Sequence, residues 1–195
     1  MAVLLLPDTG ARHTEHEAIL AHLRPLGIRL ERWPLEERCS PDADDATSLA
    51  AYAPEIDRLK REGGFVTADV INVTPQTPGL EAMLARFNRE HTHTEDEVRF
   101  IVRGRGLFHF NPGHGTPVFA LEVEAGDWFS VPAGVRHWFD LCADRTIRAI
   151  RLFQDPSGWT PHYRPDGRHA DFQPLCWGTS YLPPAAAPLA AVVEP

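Results

Sequence analysis

Short runs of alternating apolar and polar residues, separated by glycine and proline, make up the chain from residue 88 onward. Five such runs occupy residues 98–102, 106–110, 118–123, 128–131 and 147–153. The segments between them, such as Asn111-Pro-Gly113, contain residues typical of tight turns. Because many short strands at close spacing pair as successive hairpins, this pattern predicts an antiparallel sandwich or small barrel.

The first 87 residues have a mixed pattern instead. The spacing of their apolar residues predicts helices over 14–23, 47–62 and 80–87. Thr14 and Glu17 have capping-box spacing at the start of the first helix. Alternating residues predict strands over 1–7, 28–33 and 66–73.

Together these patterns predict one domain over residues 1–182. Its parts are an N-terminal α/β elaboration at 1–87, a barrel core at 88–155 and a C-terminal segment at 156–182. Residues 183–195 are rich in proline and alanine, and we expect them to be disordered because they cannot bury enough apolar surface to fold.

Charge and cysteine content exclude several partners. With 27 acidic against 19 basic side chains the net charge is −8, so a nucleic acid or an anionic membrane surface would be repelled. No stretch approaches the roughly 20 apolar residues of a membrane span. Cys39, Cys142 and Cys176 lie far apart and support neither a disulfide framework nor a cysteine-type zinc site. We therefore expect a reduced, cytoplasmic setting.

The segment around His91 carries the chemistry. His91 and His93 are two residues apart, so on a strand both imidazoles leave the same face. Glu97 has the same parity, but an extended chain would carry it away at roughly 3.3 Å per residue. Two ligands of one metal lie only about 3–4 Å apart. The polar residues 94–96 must therefore bend if Glu97 is to return beside the histidines; a solvated loop is the alternative.

A third histidine follows a proline–glycine turn. His137 comes three residues after Gly134, amid the apolar Val135, Trp138 and Phe139, where an imidazole without a partner would be costly. With these motifs the sequence resembles the cupin superfamily. Two matches carry the resemblance, His91, His93, Glu97 and Gly104 in the first motif, and Gly126, Pro132, Gly134 and His137 in the second.

The cupin resemblance implies a mainly β fold. We expect a double-stranded β-helix (jelly-roll) barrel, with several flanking helices in the N-terminal part and a metal bound by His91, His93, Glu97 and His137. Ala85 and Leu141 depart from the usual glycine and asparagine of the two motifs, at positions that are not ligands. Three imidazoles and one carboxylate suit Fe, Ni, Co or Mn, and the sequence does not choose among them.

A narrower resemblance points to the acireductone dioxygenase family. It rests on residues 90–101, 106–108, 148–153, 159–165 and 26–33. This resemblance implies one Fe²⁺ or Ni²⁺ per chain, and a substrate, acireductone, that chelates the metal as its enediolate before O₂ attacks. In this family iron gives 2-keto-4-methylthiobutyrate and formate, whereas nickel gives 3-methylthiopropionate, formate and carbon monoxide. The pathway is methionine salvage.

The family's substrate contacts fall on two arginines and three aromatic residues, namely Arg99, Arg151, Phe87, Phe139 and Trp159. Arg99 has the parity of Glu97, where its permanent charge could stabilise an enediolate. The alternative for Arg99 is a buried ion pair with a neighbouring carboxylate, and the alternative for Arg151 is a solvated outer face. The aromatic residues could also be ordinary core.

The sequence is compatible with three hypotheses about function. The first is acireductone dioxygenase, acting on its small substrate and O₂ as a monomer. The second is a cupin dioxygenase for another enediol or a diketone. The third is a metal-bound sensor or binding cupin that never turns over.

Overall fold

The computed structural model describes residues 1–35, 38–155 and 159–172. Within these ranges the helices lie in the first half of the chain. They are α1 (His16–Leu23), α2 (Asp45–Ala51), α3 (Ala53–Gly63) and α4 (Leu80–Phe87). Short 3₁₀ turns occupy Arg24–Leu26 and His169–Asp171.

Eleven strands occur in the same ranges and pair in antiparallel fashion. They are β1 (Val3–Leu6), β2 (Ala11–His13), β3 (Arg29–Arg32), β4 (Thr67–Val73), β5 (His91–Thr92), β6 (Glu97–Phe110), β7 (Phe119–Glu124), β8 (Asp127–Val131), β9 (His137–Leu141), β10 (Ile147–Phe153) and β11 (His162–Tyr163). The mainly β class predicted from the sequence is confirmed.

Strand β6 connects the two halves of the barrel. Its first part pairs with β8 and β10, and its second part pairs with β7 and β9. The sequence predicts two separate strands here, but one strand of 14 residues is found. A bulge lies between the two parts, because Ile101 pairs with Ala149 whereas Arg103 pairs with Arg148, leaving Val102 as the extra residue.

The bulge changes which residues of β6 face the barrel interior. Ile101 packs in the interior cluster before the bulge, and Phe108 and Phe110 pack there after it. Phe100 and Val102 pack in a second cluster on the other face of the sheet. The helices α2 and α3 cover this second cluster through Tyr52, Ile56 and Leu59, which are all at most 5% exposed.

Two helix predictions need correction. The single helix predicted over 47–62 is two helices, which meet at Tyr52. Pro54 lies in the first turn of α3, where a proline cannot continue a helix from the preceding residues. The capping box is also wrong, because α1 begins at His16 and Glu15 precedes it with no side-chain cap.

The cysteine prediction is wrong for Cys142, which is disulfide-bonded. Wide spacing in the sequence did not reveal this pairing, because a disulfide depends on which Cβ atoms the fold brings together. Cys39 is free. None of the described helices is long and apolar enough to span a membrane. The predicted disorder of 183–195 lies outside the described residues, and the division into domain parts stays a prediction.

Candidate metal centre

Three strands bring the sequence-predicted ligands together. His91 lies on β5 and pairs across the sheet with His137, the first residue of β9. After His93 the chain bends, and β6 begins at Glu97. This is the bend expected from the spacing of His93 and Glu97. The carbonyl of His93 also accepts a hydrogen bond from the amide of Gly134 at 2.9 Å, which joins the bend to the turn before β9.

The three imidazoles form one buried cluster. His91, His93 and His137 are 1%, 4% and 2% exposed, and one ring nitrogen from each lies within 4.8 Å of the others. The ring centroids of His91 and His137 are 4.6 Å apart. The arrangement is the one expected for ligands of a single ion.

Each imidazole is oriented by a backbone carbonyl. Nδ1 lies 2.6 Å from the Arg89 oxygen in His91, 2.9 Å from the Thr160 oxygen in His93 and 2.9 Å from the Val135 oxygen in His137. Because a carbonyl only accepts hydrogen bonds, Nδ1 carries the proton in each ring. The neutral tautomer therefore directs the lone pair of Nε2 into the cluster, as metal-binding histidines require.

Glu97 completes the cluster with a fourth acceptor. Its Oε2 lies 3.1 Å from His137 Nε2 and 3.4 Å from His93 Nε2. His93 Nε2 is buried and has no hydrogen-bond partner. Lone pairs that face one another in a buried site repel, so a cation between them would satisfy all of these atoms. The residues present therefore fit a divalent metal ion.

Charge is balanced around Glu97 by Arg99. The Arg99 Nε donates to Glu97 Oε1 at 2.5 Å, and both side chains are buried. Burial alone would raise the pKa of Glu97, but the charge of Arg99 holds it well below its usual range. Burial is the largest cause that lowers the pKa of His91, to about 3. A carboxylate and a neutral imidazole are the forms that bind a metal.

The predicted substrate residues surround this centre. Trp159 stacks on His93 with ring centroids 6.1 Å apart, and Phe87 meets His91 edge-on at 6.0 Å. The Arg99 guanidinium lies 4.9 Å from the Trp159 ring centre and 5.5 Å from that of Phe139. Phe139 is also a member of the interior apolar cluster, so its position fits both hypotheses, a residue beside the substrate and an ordinary core residue.

A cavity of about 510 Å³ opens beside these aromatic rings. Phe87 and Trp159 line it, together with Met83, Phe153 and Arg151. Arg151 is only 21% exposed at its side chain, so it is not a freely solvated residue on an outer face. Its Nε and Nη2 donate to the two oxygens of Asp69 at 2.8 and 2.6 Å.

Three residues near the metal centre were not predicted from the sequence. Asp69 pairs with Arg151 from the adjacent strand, and Thr160 orients His93 through its carbonyl. Glu90 lies buried directly before His91. The sequence around Asp69 and Thr160 contains no pattern that indicates a role at the metal centre. Glu90 could have been noticed, because it is an acidic residue next to a predicted ligand.

The sequence of this chain is similar to those of known proteins. The ARD/ARD' family model matches residues 8–161. The acireductone dioxygenase of Methylococcus capsulatus is 47% identical over 149 residues, which are 76% of this chain and 79% of that protein. The acireductone dioxygenase of Granulibacter bethesdensis is 45% identical over 161 residues, covering 82% of this chain and 89% of that protein.

A solved structure agrees with the sequence relatives. The acireductone dioxygenase of Bacillus anthracis, with a cadmium ion in its active centre, superposes with a TM-score of 0.75 at 35% identity. The match covers 84% of this chain and 98% of that one. The fold expected from the cupin motifs is thereby confirmed, and the family match over most of the chain leads to one conclusion: this chain belongs to the ARD/ARD' family.

Proposed function

We propose that this protein is a metal-dependent dioxygenase that cleaves acireductone, 1,2-dihydroxy-3-keto-5-methylthiopentene, with O₂ in methionine salvage. The observation that carries the proposal is the buried cluster in which Nε2 of His93 and His137 faces Glu97 Oε2 with no proton donor between them. The relatives named acireductone dioxygenase favour acireductone over another enediol as the substrate. We expect the enzyme to work as a cytoplasmic monomer without nucleic-acid or membrane partners.

The metal in this proposal is one Fe²⁺ or Ni²⁺ per chain, held by His91, His93, Glu97 and His137. When bound, such an ion supplies Lewis-acid and redox chemistry for the reaction with O₂. With iron the expected products are 2-keto-4-methylthiobutyrate and formate. With nickel they are 3-methylthiopropionate, formate and carbon monoxide.

Arg99 has two tasks in this scheme. By donating to Glu97 Oε1 it leaves Oε2 directed at the imidazoles. Its permanent charge, held in a buried site between Trp159 and Phe139, also stabilises the negative charge of an enediolate placed beside it. An arginine suits this position because its guanidinium stays protonated and stacks on aromatic rings.

The cavity beside the metal centre holds the part of the substrate that does not bind the metal. Met83, Phe87 and Phe153 provide apolar walls for the methylthioethyl chain, and Trp159 covers His93. Arg151 contributes a second positive charge at this cavity, next to Asp69. The aromatic rings orient the substrate and exclude water from the reacting carbons.

The test is a turnover measurement with defined metal. Metal-free protein is loaded anaerobically with Fe²⁺ or Ni²⁺, acireductone is added, and its absorbance is followed after admission of O₂. We expect loss of absorbance well above the non-enzymatic rate, 2-keto-4-methylthiobutyrate with Fe²⁺, and carbon monoxide with Ni²⁺.

The same experiment separates the alternatives. Absence of acceleration by either metal form would falsify the proposal. A change in acireductone absorbance on anaerobic mixing, followed by no turnover in O₂, would instead identify a binding cupin. Faster consumption of a different enediol or a diketone would identify another dioxygenase.

A further inference from the structure

A buried carboxylate outside the proposed ligand set lies directly next to the metal centre. The Glu90 side chain is 0% exposed, and three donors surround it. Oε1 accepts from Asn111 Nδ2 at 3.0 Å and from Arg136 Nε at 2.5 Å, and Oε2 accepts from the Arg168 amide at 2.6 Å. Burying a charge is costly unless it is paired and hydrogen-bonded, and Glu90 meets both conditions.

The ion pair joins the residues that precede two of the histidines. Glu90 comes immediately before His91, and Arg136 comes immediately before His137. Strand β5 has only two residues, and its described register with β9 consists of the single pair His91 and His137. Such a short ladder restrains the strands weakly, so the buried ion pair adds the restraint that keeps these two imidazoles opposite each other.

The same glutamate holds a third element. The Glu90 carbonyl accepts from the Arg164 amide at 3.0 Å, and its carboxylate accepts from the Arg168 amide. Both amides belong to the segment 159–172, whose Thr160 carbonyl orients His93. Arg136 reinforces this attachment through Asp166 of the same segment, at 3.1 Å.

From these contacts we propose that Glu90 is a positioning residue for the metal centre. Its ion pair with Arg136 fixes His91 against His137, and its contacts with the segment 159–172 keep the Thr160 carbonyl in place behind His93. The inference rests on the metal-binding part of the proposed function and is independent of the substrate.

The test compares Glu90→Gln with the wild type by titrating metal-free, full-length protein with Co²⁺. Substitution of groups that orient metal ligands typically weakens metal affinity by about 10- to 100-fold, and we expect a loss of that size. We also expect the visible absorption spectrum of the Co²⁺ form to change, because the imidazoles no longer hold one arrangement.

Glu122→Gln is the matched control. Glu122 is 7% exposed and pairs with Arg105 on the adjacent strand at 3.2 Å, but it lies on β7, which carries none of the proposed ligands. This variant should keep Co²⁺ affinity within about twofold of the wild type, even where it loses thermal stability.

Each outcome of these titrations supports or overturns the positioning role of Glu90. Equal Co²⁺ affinity in Glu90→Gln and the wild type, or an equal loss in Glu122→Gln, overturns the positioning role while leaving the proposed function standing. A wild type that binds no Co²⁺ overturns both. If Glu90→Gln does not fold, Arg136→Gln removes the same ion pair from its more exposed partner, 24% exposed, and the same Co²⁺ affinity and spectrum decide.

Discussion

The two parts of strand β6 face the same barrel interior with opposite chemistry. Before the bulge the interior positions include Glu97 and Arg99, a buried ion pair beside three imidazoles. After the bulge they include Phe108 and Phe110, which pack against Phe129, Phe139 and Phe119. One part is held by matched charges and the other by apolar burial, so substitutions should damage them in different ways.

The largest effect is expected in the charged part. His93→Ala removes an imidazole whose Nε2 faces Glu97, so metal affinity should fall by more than about a thousandfold. Elemental analysis after loading with Ni²⁺ and gel filtration should show less than a tenth of the wild-type metal. His109→Gln, at the buried histidine on the other face of β6, is the control and should load fully. Full loading of His93→Ala would remove this residue from the ligand set.

In the apolar part, the expected loss is one of stability. Phe108→Ala removes a ring that is 0% exposed, and such substitutions lower the free energy of unfolding by about 3–5 kcal/mol. Urea denaturation monitored by circular dichroism measures this loss, with Phe108→Leu as the milder control. Where the variant is folded it should still bind metal. A stable variant that lacks metal would show that the two parts of β6 are not separable.

Arg99→Ala tests whether the buried charge serves the substrate or only the fold. We expect kcat to fall by about 100-fold, as when one charge-stabilising group is removed from an active site. At a saturating metal concentration the metal content should stay unchanged, because the bound cation also compensates the charge of Glu97. Arg99→Lys is the control and should recover little activity, since an ammonium lacks the planar guanidinium. Unchanged kinetics in Arg99→Ala would reject the substrate role.

Acid should destabilise the protein through His109, which stacks on Trp138 and has a buried Nδ1 without a hydrogen-bond partner. Burial lowers the pKa of His109 to about 4. As the pH falls below about 6.5, His109 therefore takes up a proton in the unfolded chain but stays neutral in the folded state. The free energy of unfolding decreases as a result.

For this one group the loss between pH 7 and pH 5 is on the order of 2 kcal/mol. Urea denaturation of the metal-free wild type and of His109→Gln at both pH values measures it. The difference between the two pH values should shrink by that amount in the variant. An identical pH dependence in the wild type and in His109→Gln would mean that His109 takes up a proton as readily in the folded state as in the unfolded chain.

The smallest effect is expected at the cavity, where the Arg151 and Asp69 side chains are 21% and 47% exposed. Asp69→Asn removes the carboxylate that competes with an anionic substrate for the guanidinium. Because pairs exposed to this degree contribute only about 0–1 kcal/mol, the KM for acireductone should fall by no more than about fivefold. Arg151→Met should raise KM instead. A rise in KM for Asp69→Asn would show that the carboxylate positions Arg151 rather than competing for it.

Much of the metal centre could be predicted because its signals are local. The two-residue spacing of His91 and His93 places both imidazoles on one face, and Glu97 could return to them only through a bend. The described strand β10 has the predicted bounds, as does helix α4. These elements follow from periodicity, a property of the chain over a few residues.

Other features depended on partners far away in the sequence. The bulge at Val102, the pairing of Asp69 with Arg151 and the disulfide at Cys142 each require a particular strand register or an approach of distant segments. The Thr160 carbonyl behind His93 is a backbone group, which any residue at that position could supply.

The sequence by itself determined the class of fold, the histidines that meet and the chemistry that their side chains favour, since residue type and short-range spacing are sufficient for these. Only the tertiary structure decided which carbonyls and carboxylates orient those histidines, and that Arg99 and Arg151 are each paired with an acid. The physical reason is that hydrogen bonds and ion pairs act over about 3 Å, a distance that only the folded packing of separate strands establishes.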